Sequence, residues 1–265
     1  MDLEDLRKIN SSISPKFKIW ERTNEDLDSL FKNVNFEDKN VLSVLASTDQ
    51  VLASYYYGAK NVDTFDRNII ALYYYYLRKW CFTNLRDKYP SFYNINRLLS
   101  MINAIYPTNN LEAEAKRFWT FVLNNDFEHS ELFENSYCSL NGKYITEENL
   151  ENTFNKRLSF QHADMCTKLN FRKKYDIIIL SNMIEYLNGD KKALITVRNN
   201  LKRLASDDCI IICSLMLHKY SSDLVSLEKD IFRSDGIILN KRYKAYDKVC
   251  SGPRTLGYSY KLKKN

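Results

Sequence analysis

The 265-residue sequence predicts a doubly wound, Rossmann-like α/β fold, and three observations carry this prediction. Short apolar segments alternate with helical patterns along most of the chain. Residues 174–182 form a nearly continuous apolar run, which is typical of a central strand in a parallel sheet. Residues 240–249 and 254–262 read as two strands joined by a turn. The sheet should therefore be mostly parallel, with an antiparallel hairpin at its C-terminal end.

The first strand–helix–strand unit, residues 40–68, is the most informative stretch. It reads as a strand, a tight turn, a helix ended by Gly58, a second strand, and Asp66 at the tip of that strand. In such a unit the turn faces a nucleoside, and the acidic residue can accept hydrogen bonds from two ribose hydroxyls. The alternative for Asp66 is a turn acid that caps the helix beginning near Asn68. The glycines that usually mark the turn are missing.

The domain organisation is predicted to be a single domain, residues 1–265, with two helical additions. Residues 1–36 read as an N-terminal helical segment, with a helix start signal at 23–26. Residues 82–157 hold three or four helical patterns where a sheet crossover usually needs one helix, which predicts an inserted helical subdomain. Such insertions commonly form a lid or a substrate wall. A further helix is predicted over residues 222–233.

The aromatic content is high, with 19 Tyr and 14 Phe against 6 Gly and 4 Pro, which indicates long helices with amphipathic faces. The helix predicted from residue 69 to residue 81 contains four consecutive tyrosines, Tyr73 to Tyr76. Four successive positions of a helix cannot share one face. We therefore expect one or two of these rings to pack in the core and the others to lie on an amphipathic surface.

The net charge of +6 is concentrated near the C-terminal end. Residues 241–265 contain eight basic residues and one acid, Asp247. A basic edge can attract an anionic substrate or RNA. The alternative is a solvated strand edge in which lysines prevent edge-to-edge pairing. A small-molecule partner is favoured over RNA, and the sequence does not indicate an oligomeric state.

The cysteines predict neither a metal site nor a secreted protein. The six cysteines are scattered without a Cys-x-x-Cys pair, and the three histidines do not complete a zinc pattern. Free thiols fit a reducing compartment, which predicts a cytoplasmic protein. The N-terminal residues lack an apolar signal region, and no apolar run approaches about 18 residues, so neither secretion nor a membrane span is expected.

The order of these features resembles class I S-adenosylmethionine (SAM)-dependent transferases over residues 40–81 and 158–262. It comprises the first unit with Asp66, then Ala-Asp-Met at 163–165, then YDIIILSN at 175–182, and then the closing hairpin. The resemblance implies SAM as the cofactor. In that family the first turn usually reads acid-x-Gly-x-Gly-x-Gly. In this chain Ser43 takes the place of the acid, and the places of the glycines are taken by Leu45, Ser47 and Asp49.

A narrower similarity accounts for this departure. The turn ASTDQ at residues 46–50, followed by Gly-Ala-Lys and Phe-Asp-x-Asn segments and an inserted Phe-Trp pair, is similar to the betaine-lipid-synthase type branch. Enzymes of that branch share the fold but transfer the 3-amino-3-carboxypropyl group of SAM in place of its methyl group. The remaining matching residues are Gly58 to Lys60, Phe65 to Asn68, and Phe118 with Trp119.

The resemblance implies a set of cofactor-binding residues. Ala46 and Ser47 are small enough to let the backbone approach the cofactor, as glycine does elsewhere. Asp49 either caps the first helix or binds the ammonium group of the cofactor. Arg67 flanks the adenosine, or it is simply solvated. The full set is Leu45, Ala46, Ser47, Asp49, Asp66, Arg67, Asp164, Met165, Ser181 and Asn182.

Two further strand tips complete the implied site. Asp164 takes the adenine amino group and Met165 faces the ring, unless Asp164 is an ordinary strand-end acid. Ser181 and Asn182 lie beside the reactive sulfonium, because ligands bind beyond the carboxyl ends of parallel strands. The nearest proton acceptors are the catalytic candidates, and each also has a structural alternative. These candidates are Glu185, Tyr186 and His218.

Missing motifs narrow the function. Residues 181–184 read Ser-Asn-Met-Ile, which differs from the Asp/Asn/Ser-Pro-Pro-aromatic motif of exocyclic-amine nucleic-acid methyltransferases. No Pro-Cys dipeptide, GxxxxGK[ST] loop or GxSxG elbow occurs. The leading hypothesis is a SAM-dependent methyltransferase that acts on a small molecule. One alternative is aminocarboxypropyl transfer, and the other is a catalytically silent Rossmann-like protein that binds a partner.

Overall fold

The computed structural model describes residues 19–23, 25–125, 132–134, 142–183, 190–216, 237–244 and 255–262. The described strands are β1 (Ile19–Trp20), β2 (Asn40–Val44), β3 (Asn61–Asp66), β4 (Phe133–Glu134), β5 (Ser159–His162), β6 (Tyr175–Ser181), β7 (Ala205–Met216), β8 (Ile237–Lys244) and β9 (Thr255–Leu262). The described helices are α1 (Leu27–Phe31), α2 (Asp49–Tyr56), α3 (Ile69–Leu85), α4 (Ile95–Ala104), α5 (Asn110–Asn124), α6 (Glu147–Asn155) and α7 (Lys191–Leu204), with a 3-10 turn at Phe92–Asn94.

Seven strands form one sheet in the order β5-β3-β2-β6-β7-β9-β8. The first five strands in this order are parallel, and β9 is antiparallel to both of its neighbours. The chain builds from β2 through β3 to β5, and then returns to the other side of β2 with β6. The point between β2 and β6 is therefore a topological switch point, where ligands bind in open α/β sheets. The predicted doubly wound sheet with a C-terminal hairpin is confirmed.

Helices cover both faces of the sheet, and the central strands divide their side chains between two hydrophobic clusters. Ile177 and Ile179 of β6 lie in the larger cluster, whereas Ile178 lies in the smaller one. This division follows from the geometry of a strand, in which successive side chains point to opposite faces. Helices α2 to α6 contribute to the larger cluster and α7 to the smaller. Burial on both faces explains the continuous apolar run in the sequence.

The helices between β3 and β5 share the larger cluster with the sheet. Trp119 of α5 donates its Nε1–H to the carbonyl oxygen of Tyr73 in α3 at 2.7 Å. The ring of Phe154 in α6 packs edge-on against Tyr75, with ring centroids 5.5 Å apart. These contacts hold α5 and α6 against α3. A lid or substrate-wall role for residues 82–157 stays a prediction.

All four consecutive tyrosines of α3 are buried, so the expectation that some of them lie on an amphipathic surface is wrong. Tyr73 packs on a ring of α5, Tyr74 on a ring of β4, and Tyr75 on a ring of α6. Neighbouring elements therefore enclose α3 on several sides. Successive positions of a helix enclosed in this way can all lie in the core, although they point in different directions.

The N-terminal segment combines a short strand with a short helix. Residues 19–20 form β1, which pairs in parallel with β4, so the helical prediction for residues 1–36 is wrong at these two positions. Helix α1 follows Asp26, whose side chain accepts a hydrogen bond from the N–H of Ser29, and this agrees with the predicted start signal. Residues 1–18 and the helix predicted over 222–233 lie outside the described residues.

The predicted helix end at Gly58 has the expected local chemistry, and the start of α5 at Asn109 is capped by a side chain. Gly58 has a φ of 101°, and its N–H donates to the carbonyl oxygen of Tyr55 at 3.1 Å, which ends α2. The side chain of Asn109 caps α5 by accepting the N–H of Glu112 at 2.9 Å. Within the described ranges, no helix is both long and apolar enough to cross a bilayer.

Candidate functional site

The turn after β2 lies at the switch point and adopts a left-handed backbone at two residues that are not glycine. Ala46 has a φ of 45° and Thr48 a φ of 77°. The N–H of Leu45 donates to the carbonyl oxygen of Phe65 at 2.9 Å, which ties the turn to β3. A left-handed conformation costs an L-residue roughly 1–2 kcal/mol, which glycine avoids. The strained positions, 46 and 48, alternate with the three positions at which the family pattern places glycine.

Asp66 lies at the tip of β3 with its carboxylate buried. Its Oδ2 accepts the N–H of Ala46 at 2.9 Å, and its Oδ1 accepts the N–H of Asn68 at 2.8 Å. Burial raises the pKa of Asp66, although the two backbone hydrogen bonds and the charges of Arg67 and His162 oppose this rise. Asn68 caps α3 through its own side chain and so takes the capping role considered for Asp66. Each oxygen of Asp66 retains a further lone pair for a ligand.

Asp49 forms a buried ion pair that the sequence did not predict. Its Oδ1 lies 2.9 Å from Nη1 of Arg78, and the two side chains are 1% and 0% exposed. Its Oδ2 accepts the hydroxyl of Ser47 at 3.0 Å and the N–H of Thr23 at 2.7 Å. Burial alone would lower the pKa of Arg78, but the charge of Asp49 raises it. Thr48 is the N-cap residue of α2, so Asp49 is the first helical residue and does not cap the helix.

Glu25 reaches the carboxyl ends of β6 and β7 from the N-terminal segment and is 2% exposed. Its Oε2 accepts the hydroxyl of Ser181 at 2.7 Å and Nε2 of Gln50 at 2.8 Å. Its Oε1 accepts the hydroxyl of Ser214. From the sequence, residues 23–26 were assigned to a helix start, because the residues around Glu25 match a helix start signal. Its partners on β6 and β7 lie 156 and 189 residues away, and no spacing in the sequence reveals such contacts.

Buried polar atoms without a hydrogen-bond partner concentrate around this turn. Seven such side-chain atoms occur in the described part of the chain, and five of them belong to Arg22, Thr48, Gln50 and Arg78. Arg78 presents Nε and Nη2, the edge at which a guanidinium binds a carboxylate in bidentate fashion. Gln50 presents the acceptor Oε1, because its Nε2 donates to a carboxylate. Buried polar groups are nearly always paired, so this concentration marks the turn as the candidate site.

The residues predicted to hold adenine lie next to Asp66. The N–H of Ala163 donates to the carbonyl oxygen of Asp66 at 3.0 Å, which brings the end of β5 to the tip of β3. The carboxylate of Asp164 accepts the N–H of Cys166 at 2.8 Å and closes a turn. The side chain of Met165 is fully buried in the smaller cluster, and its carbonyl oxygen accepts a hydrogen bond from Nδ2 of Asn200 at 2.9 Å.

The remaining predicted residues differ in accessibility. Leu45 is buried in the larger cluster, Arg67 is exposed, and Asn182 is partly buried. Ser181 ends β6 with a φ of 54°, and Nε2 of Gln50 donates to its hydroxyl at 3.5 Å. Hydrogen bonds thus link the tip of β6 to the turn after β2. The catalytic candidates lie outside the described residues, namely Glu185, Tyr186 and His218.

The described residues contain no group of three His, Cys, Asp or Glu side chains placed to hold a metal ion. The polar groups at the switch point are instead one ion pair, the two further carboxylates of Glu25 and Asp66, hydroxyls and an amide. The fold and the site therefore define a Rossmann-like α/β protein with a buried polar site at its topological switch point.

No family model matches the chain, and no curated protein matches it. Similar solved structures include the ribosomal protein L11 methylase of Lactobacillus delbrueckii subsp. bulgaricus, with 10% identity, a TM-score of 0.41, and coverage of 90% of this chain and 77% of that chain. The N-methyltransferase NodS of Bradyrhizobium japonicum WM9, in complex with S-adenosyl-L-homocysteine, has 7% identity, a TM-score of 0.43, and coverage of 90% and 84%.

A TehB-like SAM-dependent methyltransferase of Corynebacterium glutamicum has 9% identity and a TM-score of 0.43, with 98% of this chain and 95% of that chain covered. Similarities at this level carry no argument about activity. The assignment of the fold therefore rests on the strand order and the strand directions of this chain.

Proposed function

We propose that the protein is a SAM-dependent transferase that moves the methyl group of SAM to a small-molecule acceptor. The observation that carries this proposal is the set of unpartnered buried atoms around the turn after β2, which includes both donors and an acceptor. An amino-acid group offers the complementary set, a carboxylate and an ammonium. SAM has such a group at one end and a ribose beyond its sulfur. Asp66, the residue suited to a ribose, is hydrogen-bonded to the same turn.

The residues around the turn fit this cofactor. Nη1 of Arg78 is held by Asp49 and by the carbonyl oxygen of Ser47, which leaves Nε and Nη2 to bind a carboxylate. Oε1 of Gln50 is available to accept a hydrogen bond from an ammonium group. Asp66 would accept the ribose hydroxyls through the lone pairs that its two backbone hydrogen bonds leave open.

The other assignments are carried over from the family resemblance. Leu45, Ala46 and Ser47 would line the cofactor with backbone. Arg67 would flank the adenosine. Asp164 and the backbone of Met165 would hold the adenine, and Asp49 would act through Arg78. The residues assigned to the region of the sulfonium are Ser181 and Asn182.

The proposed reaction makes modest chemical demands on the chain. Bound SAM supplies an activated sulfonium that carries its own leaving group, so the protein has to align the acceptor and exclude water. Glu25, Gln50 and Ser214 are almost inaccessible to solvent at the carboxyl ends of the strands. Charges in such a water-poor region interact more strongly than they do in solution. The buried cluster is therefore suited to holding a charged ligand in one orientation.

Transfer of the aminocarboxypropyl group is the second candidate. The observation that favours it is the turn sequence at residues 46–50, which is similar to the branch that performs this transfer. The two reactions leave different products from the same cofactor. Methyl transfer leaves S-adenosylhomocysteine, whereas aminocarboxypropyl transfer leaves methylthioadenosine, and mass spectrometry of a turnover mixture separates them.

Titration calorimetry with SAM and S-adenosylhomocysteine tests the proposal directly. We expect both ligands to bind, and we expect the Asp66→Ala variant to bind them more weakly. If neither ligand binds to the folded protein, the transferase proposal fails. A thermal-shift screen of nucleosides would then test the catalytically silent alternative. No increase in melting temperature with any nucleoside would favour it, because a protein without a nucleoside site is stabilised by none of them.

A cytoplasmic location and a small-molecule acceptor complete the proposal. Cys81 and Cys209 form no disulfide, and burial raises the pKa of each thiol to about 12, so both are inert core residues that fit a reducing compartment. An RNA acceptor, suggested by the basic residues 241–265, would require binding that weakens steeply with salt. RNA binding that is weak and insensitive to salt would exclude an RNA acceptor and favour a small-molecule acceptor.

A further inference from the structure

A pocket of about 530 Å³ opens between the N-terminal segment, the loop after α3, and α5. Its apolar walls include Tyr89, Phe92 and Val122, and its charged side is formed by Glu21 and Arg22. Small-molecule sites typically have volumes of roughly 300–1,000 Å³, with mainly apolar walls and a few polar groups. The pocket therefore has the size and the lining of a site for a small organic molecule.

We infer that this pocket binds the acceptor, and that the acceptor combines an apolar, ring-sized body with one carboxylate group anchored by Arg22. The assignment as the acceptor site rests on the proposed transferase function. The inference that the pocket binds an apolar carboxylate does not depend on that function. It follows from the shape and lining of the pocket and from the unpartnered Nε of Arg22.

Arg22 is a cation without an anionic partner among the described residues. Its Nε is buried without a hydrogen-bond partner, and no ion pair involves it among the described residues. Its Cζ lies 4.1 Å from the ring centroid of Tyr89. A guanidinium that stacks on an aromatic face keeps its N–H edge available for a planar anion. A ligand carboxylate would accept a hydrogen bond from this edge and remove the cost of a buried, unpaired donor.

The surroundings of Tyr89 favour an anion for a second reason. The Cζ of Arg78 lies 4.4 Å from the same ring, so two guanidinium groups meet at one aromatic side chain. Asp49 pairs with Arg78, whereas Arg22, which lies beside Glu21 in the pocket wall, has no ion pair with a described residue. Burial, followed by the charge of Asp49, raises the pKa of Tyr89 to about 12, so the phenol is neutral and adds no negative charge beside the two guanidinium groups.

The position of the anchor connects the pocket to the turn after β2. Arg22 directly precedes Thr23, whose N–H donates to Oδ2 of Asp49 at 2.7 Å. Nε2 of Gln50 donates to the hydroxyl of Thr23 at 3.4 Å. The guanidinium groups of Arg22 and Arg78 also contact the same ring, that of Tyr89, so the anchor adjoins the elements proposed to hold the amino-acid end of SAM. This adjacency is the reason for assigning the pocket to the acceptor.

Three probes test the proposal, namely 3-phenylpropionate, 3-phenylpropanamide and 3-phenylpropylamine. They share a phenyl ring on a three-carbon chain and differ only in the terminal group, which is a carboxylate, an amide or an amine. Their affinities are measured by ligand-observed NMR on the full chain, with and without SAM. We expect the carboxylate to bind at least about tenfold more tightly than the amide, the scale of one hydrogen bond to a charged group. The amine should bind most weakly. Equal affinities, a preference for the amine, or no binding of the carboxylate would each overturn the proposal.

Variants identify the residue responsible. Arg22→Gln should abolish the preference for the carboxylate, and Arg22→Lys should retain part of it. Ser91→Trp places a large ring at the exposed pocket wall and should weaken all three probes. Glu21→Gln should leave the affinity for the carboxylate unchanged or raise it, and Lys60→Gln, an exposed position outside the pocket lining, is the matched control. A carboxylate preference that survives in Arg22→Gln would contradict the proposed anchor.

Calorimetry with SAM on the same samples separates this inference from the proposed function. If the carboxylate probe binds selectively but SAM does not bind, the pocket stands and its role as an acceptor site falls with the transferase proposal. If SAM binds and the probe does not, the proposed function stands and the carboxylate pocket is wrong.

Discussion

The hydroxyl of Ser181 donates a hydrogen bond to Oε2 of Glu25 at 2.7 Å, although the two residues lie 156 positions apart. The same carboxylate accepts hydrogen bonds from Gln50 and from Ser214. One side chain from the N-terminal segment therefore joins the turn after β2 to the carboxyl ends of β6 and β7. This arrangement places a buried carboxyl group at the point of the sheet where open α/β folds bind their ligands.

The first prediction concerns this carboxylate. Glu25→Gln replaces one acceptor oxygen by a donor, so at least one of its partners loses an acceptor in a buried region. We expect a loss of about 1–3 kcal/mol in the free energy of unfolding, measured in urea. Glu37→Gln, which changes an exposed carboxyl group, should stay within about 0.5 kcal/mol of the parent. Equal midpoints for the two variants would mean that Glu25 does not hold the strand ends together.

The second prediction concerns the ion pair between Asp49 and Arg78. Arg78→Met leaves a buried carboxylate without its cation, which should lower the free energy of unfolding by about 3–5 kcal/mol. Glu147→Gln is the control, because its pair with Arg86 is exposed on both sides and its loss should cost about 0–1 kcal/mol. If the double variant Asp49→Asn with Arg78→Met is as unstable as the sum of the single variants, the two side chains are not coupled.

The third prediction concerns ligand affinity. Asp66→Ala should weaken the binding of SAM by about 1–3 kcal/mol, because the ribose hydroxyls lose their acceptor. Asp176 is the matched control, since its carboxylate also accepts a backbone N–H, that of Asn40, but lies near the amino ends of the strands. Asp176→Ala should leave the affinity unchanged. Calorimetry that gives the same affinity for Asp66→Ala and the parent would remove Asp66 from the site.

The fourth prediction concerns pH. Burial raises the pKa of Asp66, so the folded protein holds this proton more tightly than the unfolded chain does. Its favourable contribution to folding is therefore present below the ordinary Asp pKa and is lost as the pH rises through the raised value. We expect the stability of Asp66→Asn relative to the parent to increase with pH across this window, as measured by urea unfolding. A difference that is constant with pH would contradict the raised pKa.

The fifth prediction concerns the backbone of the turn. Ala46→Gly removes the left-handed strain at this position, worth roughly 1–2 kcal/mol, at an entropic cost of about 0.5–1 kcal/mol. The variant should be as stable as the parent or up to about 1.5 kcal/mol more stable. Ala53→Gly, in the interior of α2, should instead lose about 1 kcal/mol or more. Thermal unfolding of both variants decides, and a similar loss in each would contradict a left-handed turn at Ala46.

Several parts of the fold could be predicted because their causes are local. Gly58 ends α2 through its positive φ, and Asn109 starts α5 through its side chain. The apolar run at β6 predicted a strand buried on both faces, because only such a strand needs no polar alternation. Asp66 could be placed at a strand tip because the sequence predicts both the strand before it and the helix after it.

The candidate site was predicted only in part. The turn after β2 and the tip of β6 were identified, and hydrogen bonds connect them. Glu25 and Arg78 were missed, because a glutamate at a helix start and an arginine within a helix have ordinary local explanations. The four tyrosines of α3 were misjudged for a related reason. The sequence shows that they cannot share one face of a helix, but not that neighbouring elements cover all the faces.

The sequence alone determined the strands of the seven-stranded sheet, their alternation with helices, and the acid at the tip of β3, because these depend on residues close together in the chain. It did not determine the two-residue strands β1 and β4, which form only by pairing with each other. The tertiary structure alone decided which polar groups meet at the switch point. Asp49 and Arg78 lie 29 residues apart, and Glu25 and Ser181 lie 156 apart. The pairing of such groups depends on the order of the strands in the sheet. The energetic reason for the pairing is the cost of a buried charge without partners, and this cost arises only once the chain has folded.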